Sequence, residues 1–283
     1  MTRTLDSERA AALAEAASAA TEKITSSKWP VLLAKSLRDV DATWQESAEV
    51  CADVAWCARA AGNSALVLLT PEHVTDCSID PVIGRAYRHL YLSALRYDFH
   101  CRVIESLMNT VPASVLNEDP YSQALYAFSQ MGQSRTAGLA TMHRVLVAAP
   151  DHPKTLHVLL HGVWLGTFLP GRAPMLLALA GLLPEGGLDD PIALFRMASA
   201  RRSLGQYPEA LTAIDRALEL LPPGELSVHA DLVRERVLIT AAHDLALLVP
   251  NRPDPPHDHL HPAMRRQRLR IAHRRPRPRG PHQ

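Results

Sequence analysis

Six apolar runs in this 283-residue chain each stop at a proline, at Pro71, Pro112, Pro150, Pro184, Pro222 and Pro250, with spacings of 41, 38, 34, 38 and 28 residues. Proline lacks a backbone N–H and biases its predecessor out of the helical region, so each run predicts a helix end. A second series marks starts: Asp80-Pro81, Asp119-Pro120, His152-Pro153 after Asp151, and Asp190-Pro191. An Asp side chain caps the free amides of a first turn, and proline is pre-shaped for that turn. About thirty residues separate each start from its stop, too many for one ordinary helix and suited to two with a tight turn. Turn candidates fall mid-way in each interval, at Arg96-Tyr97-Asp98, Met131-Gly132-Gln133, Gly166 to Gly171 and Leu204-Gly205-Gln206.

A period of 30 to 40 residues built from helical hairpins is the pattern of an α-solenoid, in which each unit buries its apolar face against its neighbours. The sequence predicts hairpins at 80–112, 119–150, 152–184 and 190–222. In the fourth, PIALFRMASARRSLGQYPEALTAIDRALELLPP resembles a tetratricopeptide repeat in length and motif. Leu194 stands at the usual large-residue position, Met197 and Ala198 form the large and small pair, and Gly205 and Tyr207 make the turn. Ala210, Ile214 and Ala217 line the second helix, and Pro222 ends it. Small residues let two helices approach closely while Met197, Tyr207 and Ile214 fill the gaps between them. The match covers 33 of 283 residues. The other units are degenerate, with polar Thr141 and Arg144 where the family prefers apolar residues.

The expected fold is therefore all-α, a right-handed α-solenoid of tetratricopeptide-like hairpins. Composition agrees: 47% of residues are apolar but 5% aromatic, which favours small-residue helix packing over sheets. Residues 225–249 hold no Gly or Pro and predict one long helix capping the repeats. Helices are expected near 6–24, 30–40 and 42–60 in an N-terminal region, 1–79, ahead of the repeat domain, 80–250. Residues 251–283 carry nine arginines against Asp254 and Asp258, whereas the whole chain has a formal net charge of +1. A mildly acidic body thus precedes a basic, Pro-rich tail whose composition predicts disorder.

Cys51, Cys57, Cys77 and Cys101 form no C-x-x-C pair, which argues against a zinc knuckle or a disulfide framework and for reduced core thiols. The acidic residues Asp6, Glu8, Glu15 and Glu22 at the N-terminus do not suit a secretory signal, so a cytoplasmic chain is expected. The most apolar stretch, Thr155 to Leu183, is interrupted by His157, His161, Arg172 and Pro170-Gly171, and no membrane span is expected.

His157 and His161 share a helix face but lack the glutamate and third ligand of a metalloprotease helix, so no metal and no cofactor are expected. No nucleophile elbow, P-loop, dinucleotide fingerprint or kinase signature occurs, which leaves enzymatic activity without positive support. Nucleic acid is expected only through the basic tail, which has no aromatic residue for stacking.

The resemblance implies a concave groove, lined by the first helix of each hairpin, that presents itself to a protein or peptide. Carried onto this sequence, the groove positions are Phe195, Ser199 and Arg202 in the fourth unit, Tyr87 and Tyr91 in the first, and Ser122 and Tyr126 in the second. Tyr and Arg dominate interface energetics, although the tyrosines suit packing between repeats equally. Three functions fit: an adaptor or scaffold for a partner protein, a ligand-sensing regulator, or an enzyme or accessory protein of a biosynthetic pathway. A deep apolar pocket with converging polar groups favours the last two, and an open polar groove the first.

Overall fold

The computed structural model describes residues 2–22, 29–60, 71–76 and 79–248, and within them all regular structure is helical. Three helices open the chain, α1 Thr2–Glu22, α2 Trp29–Asp39 and α3 Trp44–Ala60, followed by the short α4 Pro71–Thr75. Four helix pairs follow. They are α5 Pro81–Tyr97 with α6 Cys101–Met108, α8 Pro120–Gly132 with α9 Ala137–Ala148, α10 Pro153–Leu165 with α11 Arg172–Gly181, and α12 Pro191–Ser203 with α13 Tyr207–Leu220. A five-residue helix, α7 Ala113–Asn117, separates the first two pairs, and a single long helix, α14 Leu226–Leu248, closes the described chain. Met1–Thr240 form one compact unit, and a second begins at Ala241. The basic tail lies outside the described residues, as do Cys77 and the apolar run before Pro71.

The starts obey local capping chemistry. Asp80 accepts hydrogen bonds from the amides of Val82 and Ile83, Asp119 from that of Ser122, and Asp190 from those of Ile192 and Ala193. At the third start the cap is His152, whose Nδ1 accepts from the Thr155 amide at 3.3 Å, and not its neighbour Asp151. One expected stop is a start: Pro71 opens α4, because a proline at the first helical position initiates as readily as one beyond the last terminates. The first turn also comes later than expected. Arg96 and Tyr97 are still helical, and the chain reverses over Asp98 to His100.

The first helices of successive pairs lie side by side, α5 on α8, α8 on α10 and α10 on α12, and α3 packs on the first of them, α5. Between α8 and α10 the approach is close enough to require glycine. A Cβ on Gly162 would lie 2.8 Å from the Phe128 Cα and 2.9 Å from the Met131 Cε. Around this contact Tyr121, Leu125, Phe128, Leu156, Leu159 and Val163 are fully buried, each contributing roughly 1.5–3 kcal/mol of transfer free energy. On α9, Arg144 donates to the hydroxyl of buried Thr141 at 3.1 Å, which gives both polar groups a partner. A second cluster joins Leu194, Ala198, Ile214 and Ala217 of the fourth pair to Leu232 and Ile239 of α14.

Cys51 and Cys101 are free and buried, and burial pushes their thiols up to about 12 and about 11. They are core residues with no thiolate to offer. Among the described residues no helix is long and apolar enough to cross a membrane.

Candidate functional site: a cationic aromatic cavity

Where α3, α5, α10, α12 and the start of α14 meet, they enclose a cavity of about 290 Å³. Its walls are aromatic. Trp56 of α3 meets Tyr97 of α5 edge-on at 5.1 Å, and Trp164 of α10 meets Phe195 of α12 at 5.4 Å. Phe99 in the α5–α6 turn stands edge-on to His161 at 5.5 Å. Phe99 holds this place in left-handed backbone, φ +58°, a conformation that is strained for a bulky side chain and is retained only where the surroundings impose it.

Two arginines are set into these walls, each about 6% exposed. Arg96 Nε donates to His161 Nδ1 at 3.2 Å, and its Nη2 to the carbonyl of His157 at 3.4 Å. Arg196 Nη1 donates to the same carbonyl at 3.3 Å, while its Nε is buried with no hydrogen-bond partner. Among the described residues neither guanidinium forms an ion pair. The carboxylate whose field reaches Arg196 is Asp190, itself bonded to His157 Nε2 at 2.8 Å. Rim cations are better matched: Lys154 pairs with Asp53 at 2.5 Å and Arg59 with Asp98 at 3.4 Å. Asp231 of α14 supplies an acidic group to the lining.

The electrostatics follow from this geometry. Burial, reinforced by the charge of Arg96, pushes Arg196 down to about 9, so it stays charged at neutral pH. Burial and the two guanidiniums push His161 well below the usual imidazole range. A neutral ring that accepts from Arg96 at Nδ1 must carry its proton on Nε2. Burial opposes the charge on Asp190, but the hydrogen bond to His157 and two α12 amides outweigh it and hold the carboxyl at about 2. A buried cation without a carboxylate partner is expensive, by several kcal/mol in effective terms. Two of them beside an open cavity form a place for an anion that the protein itself does not fill.

The seven residues expected in the groove do not come together. Phe195 lines the cavity, and with Ser199 and Arg202 it also lines an adjoining depression of about 370 Å³ facing α14. Arg202 is bound there to Glu235 at 2.7 Å. Tyr87 and Tyr91 are about 8% exposed, and Tyr87 lies edge-on to His73 of α4 at 5.4 Å. Ser122 is fully buried and donates to Asp119 at 2.6 Å. Tyr126, half-buried, donates to Asn109 at 2.7 Å. Arg96, Arg196, Trp56 and Trp164 were not among the expected positions. For the two arginines the sequence holds one signal, a charged residue inside each of the small and apolar runs LSALRY and LFRMASA, and for the two tryptophans none.

Asp190 with His157, and Arg96 with His161, occupy the two histidines that share a face of α10. Among the described residues no group of three or more His, Cys, Asp or Glu side chains has the spacing of a metal site. The fold and site together define an all-helical protein with a cationic, aromatic cavity between α3, α5, α10, α12 and α14. No family model matches the chain, and neither curated proteins nor solved structures match it.

Proposed function

We propose that the chain is a tetratricopeptide-like α-solenoid acting as a ligand-binding regulator, whose cavity between α3, α5, α10, α12 and α14 receives a small molecule or a single side chain of a peptide. The observation that carries this reading is convergence. Five helices spread from Trp56 to Asp231 direct aromatic and cationic side chains into one cavity of about 290 Å³, the apolar hollow with a few converging polar groups that distinguishes a ligand site from an open docking groove. The repeat reading is supported by the fourth pair, where Leu194, Ala198, Ala210, Ile214 and Ala217 are all at most 2% exposed and Gly205 takes φ +73° at the turn. Binding to the native state raises apparent stability by mass action. A thermal-shift screen of aromatic small molecules against the full chain should therefore yield compounds that raise the melting temperature of wild type but not of Phe195→Ala. Compounds that stabilise both proteins equally would place binding elsewhere.

A second reading, an adaptor for a protein partner, is favoured by Phe168, which is 87% exposed in the α10–α11 turn. Exposed aromatic residues anchor interfaces. Loss of a partner on Phe168→Ser, with the cavity intact, would support it over the ligand reading.

A further inference from the structure

The cavity's charge and size narrow the ligand further. The inference rests on the reading of that cavity as a binding site. We propose that it takes a small monoanion, a carboxylate carried on an aromatic ring, with the carboxylate at Arg96 and Arg196 and the ring among Trp56, Trp164 and Phe195.

Three observations carry this. First, Arg96 and Arg196 are buried without an ion pair and converge on one carbonyl oxygen, which leaves Arg96 Nη1 and Arg196 Nη2 with no hydrogen-bond partner among the described residues. The missing acceptor is anionic, because a guanidinium presents donors only and its strong partners are carboxylate and phosphate. Second, the charge deficit is small. Asp190 already offsets part of the field at Arg196, His161 is held neutral, and Asp231 lies on the α14 side. A single negative charge balances the site better than a phosphate dianion. Third, about 290 Å³ lies at the lower edge of small-molecule pockets and leaves room for one ring and a short linker. The walls facing that ring are the faces and edges of indole and phenyl groups, which pair with aromatic ligands in tilted and edge-on arrangements.

The test is isothermal titration of the full chain with 3-phenylpropionate, its neutral amide 3-phenylpropanamide, and phenethyl phosphate. The carboxylate should bind at least about tenfold more tightly than the amide, since hydrogen bonds to charged groups are the stronger ones, and more tightly than the phosphate. Arg196→Met and Arg96→Gln should each remove most of that preference, with helix content retained. Arg196→Lys, which keeps a cation and loses the planar fork, should restore part of it. Equal affinity for acid and amide, both lost in Trp164→Ala, would overturn the anion while leaving the cavity as a binding site. Tighter binding of the phosphate would overturn the carboxylate. Failure of acid, amide and phosphate alike to bind wild type would overturn both the inference and the reading beneath it.

Discussion

Arg96 and Arg196, one hundred residues apart in the chain, donate to the same backbone oxygen, that of His157, at 3.4 and 3.3 Å. Two like charges meet there, each about 6% exposed, in a protein whose packing would be better served by apolar side chains. A relationship that opposes stability and borders a cavity is the kind expected where function, and not folding, selects the residues.

Arg196→Met should therefore leave the protein as stable as wild type or raise its stability, by about 1 kcal/mol or more. Replacing buried charge with a well-packed apolar side chain is often stabilising, and Arg96 continues to serve the His157 carbonyl. Urea denaturation of both proteins measures this. A loss of several kcal/mol would mean that Arg196 is a structural donor.

Phe99→Gly tests the same trade at the turn. Left-handed backbone costs a bulky residue roughly 1–2 kcal/mol, and Phe99 at φ +58° is 51% exposed. Glycine should relieve the strain and keep or raise the melting temperature, while removing the edge that faces His161 and weakening affinity for the aromatic carboxylate.

The helix pairs were legible because their boundaries are written in local chemistry: Asp80, Asp119 and Asp190 cap the helices that their prolines begin. Pro71 opens a helix where the preceding apolar run suggests a stop, because the same residue type does both, and the five residues of α7 are too few to show a periodicity. The cavity could not be read this way. Arg96 is the first residue of the turn that the sequence suggests, where its side chain would belong to a loop, yet it lies in the last turn of α5. Arg196 lies on a face of α12 whose neighbour, α10, is known only from tertiary packing. Tyr87, Tyr91 and Ser122 suit a groove by residue type, but the buried face of α5 and the Asp119 cap take them inward. The spacing of His157 and His161 puts them on one face, but the groups that meet them come from α5 and from the Asp190 cap of α12.

Two glycines separate close approach from helix propensity. Gly162→Ala should cost about 1–3 kcal/mol or more, since the added Cβ meets the Phe128 backbone at 2.8 Å and cannot move it aside. Gly181→Ala, where nothing lies within 4 Å, should instead gain roughly 0.5–1 kcal/mol from helix propensity. Melting curves of the two variants should shift in opposite directions.

Stability should fall in two stages as pH drops. His161 is depressed by burial and by the two arginines, so below about pH 6.5 the unfolded chain takes up a proton that the native state refuses. That first decline should be reduced in His161→Gln. Asp119 and Asp190 are both depressed by histidine partners and hydrogen bonds that outweigh burial. Their contribution is fully present above the ordinary carboxylate range near 4 and is lost as pH falls through the lowered values. Melting temperature recorded against pH for wild type and variant checks both stages.

The most direct measurement of the central claim, that this cavity is a ligand site, uses the indole already in its wall. Trp164 lies 5.4 Å from Phe195 and 6.0 Å from His161, so a bound ring must change its surroundings. Tryptophan emission from the full chain, titrated with 3-phenylpropionate, should change saturably. Trp56 lines the same cavity, so the change should be lost in the double variant Trp56→Phe/Trp164→Phe and retained in Trp44→Phe, whose ring packs on His152 outside the cavity lining. Emission that never saturates, or that responds equally in both variants, would contradict the assignment of the cavity as the binding site.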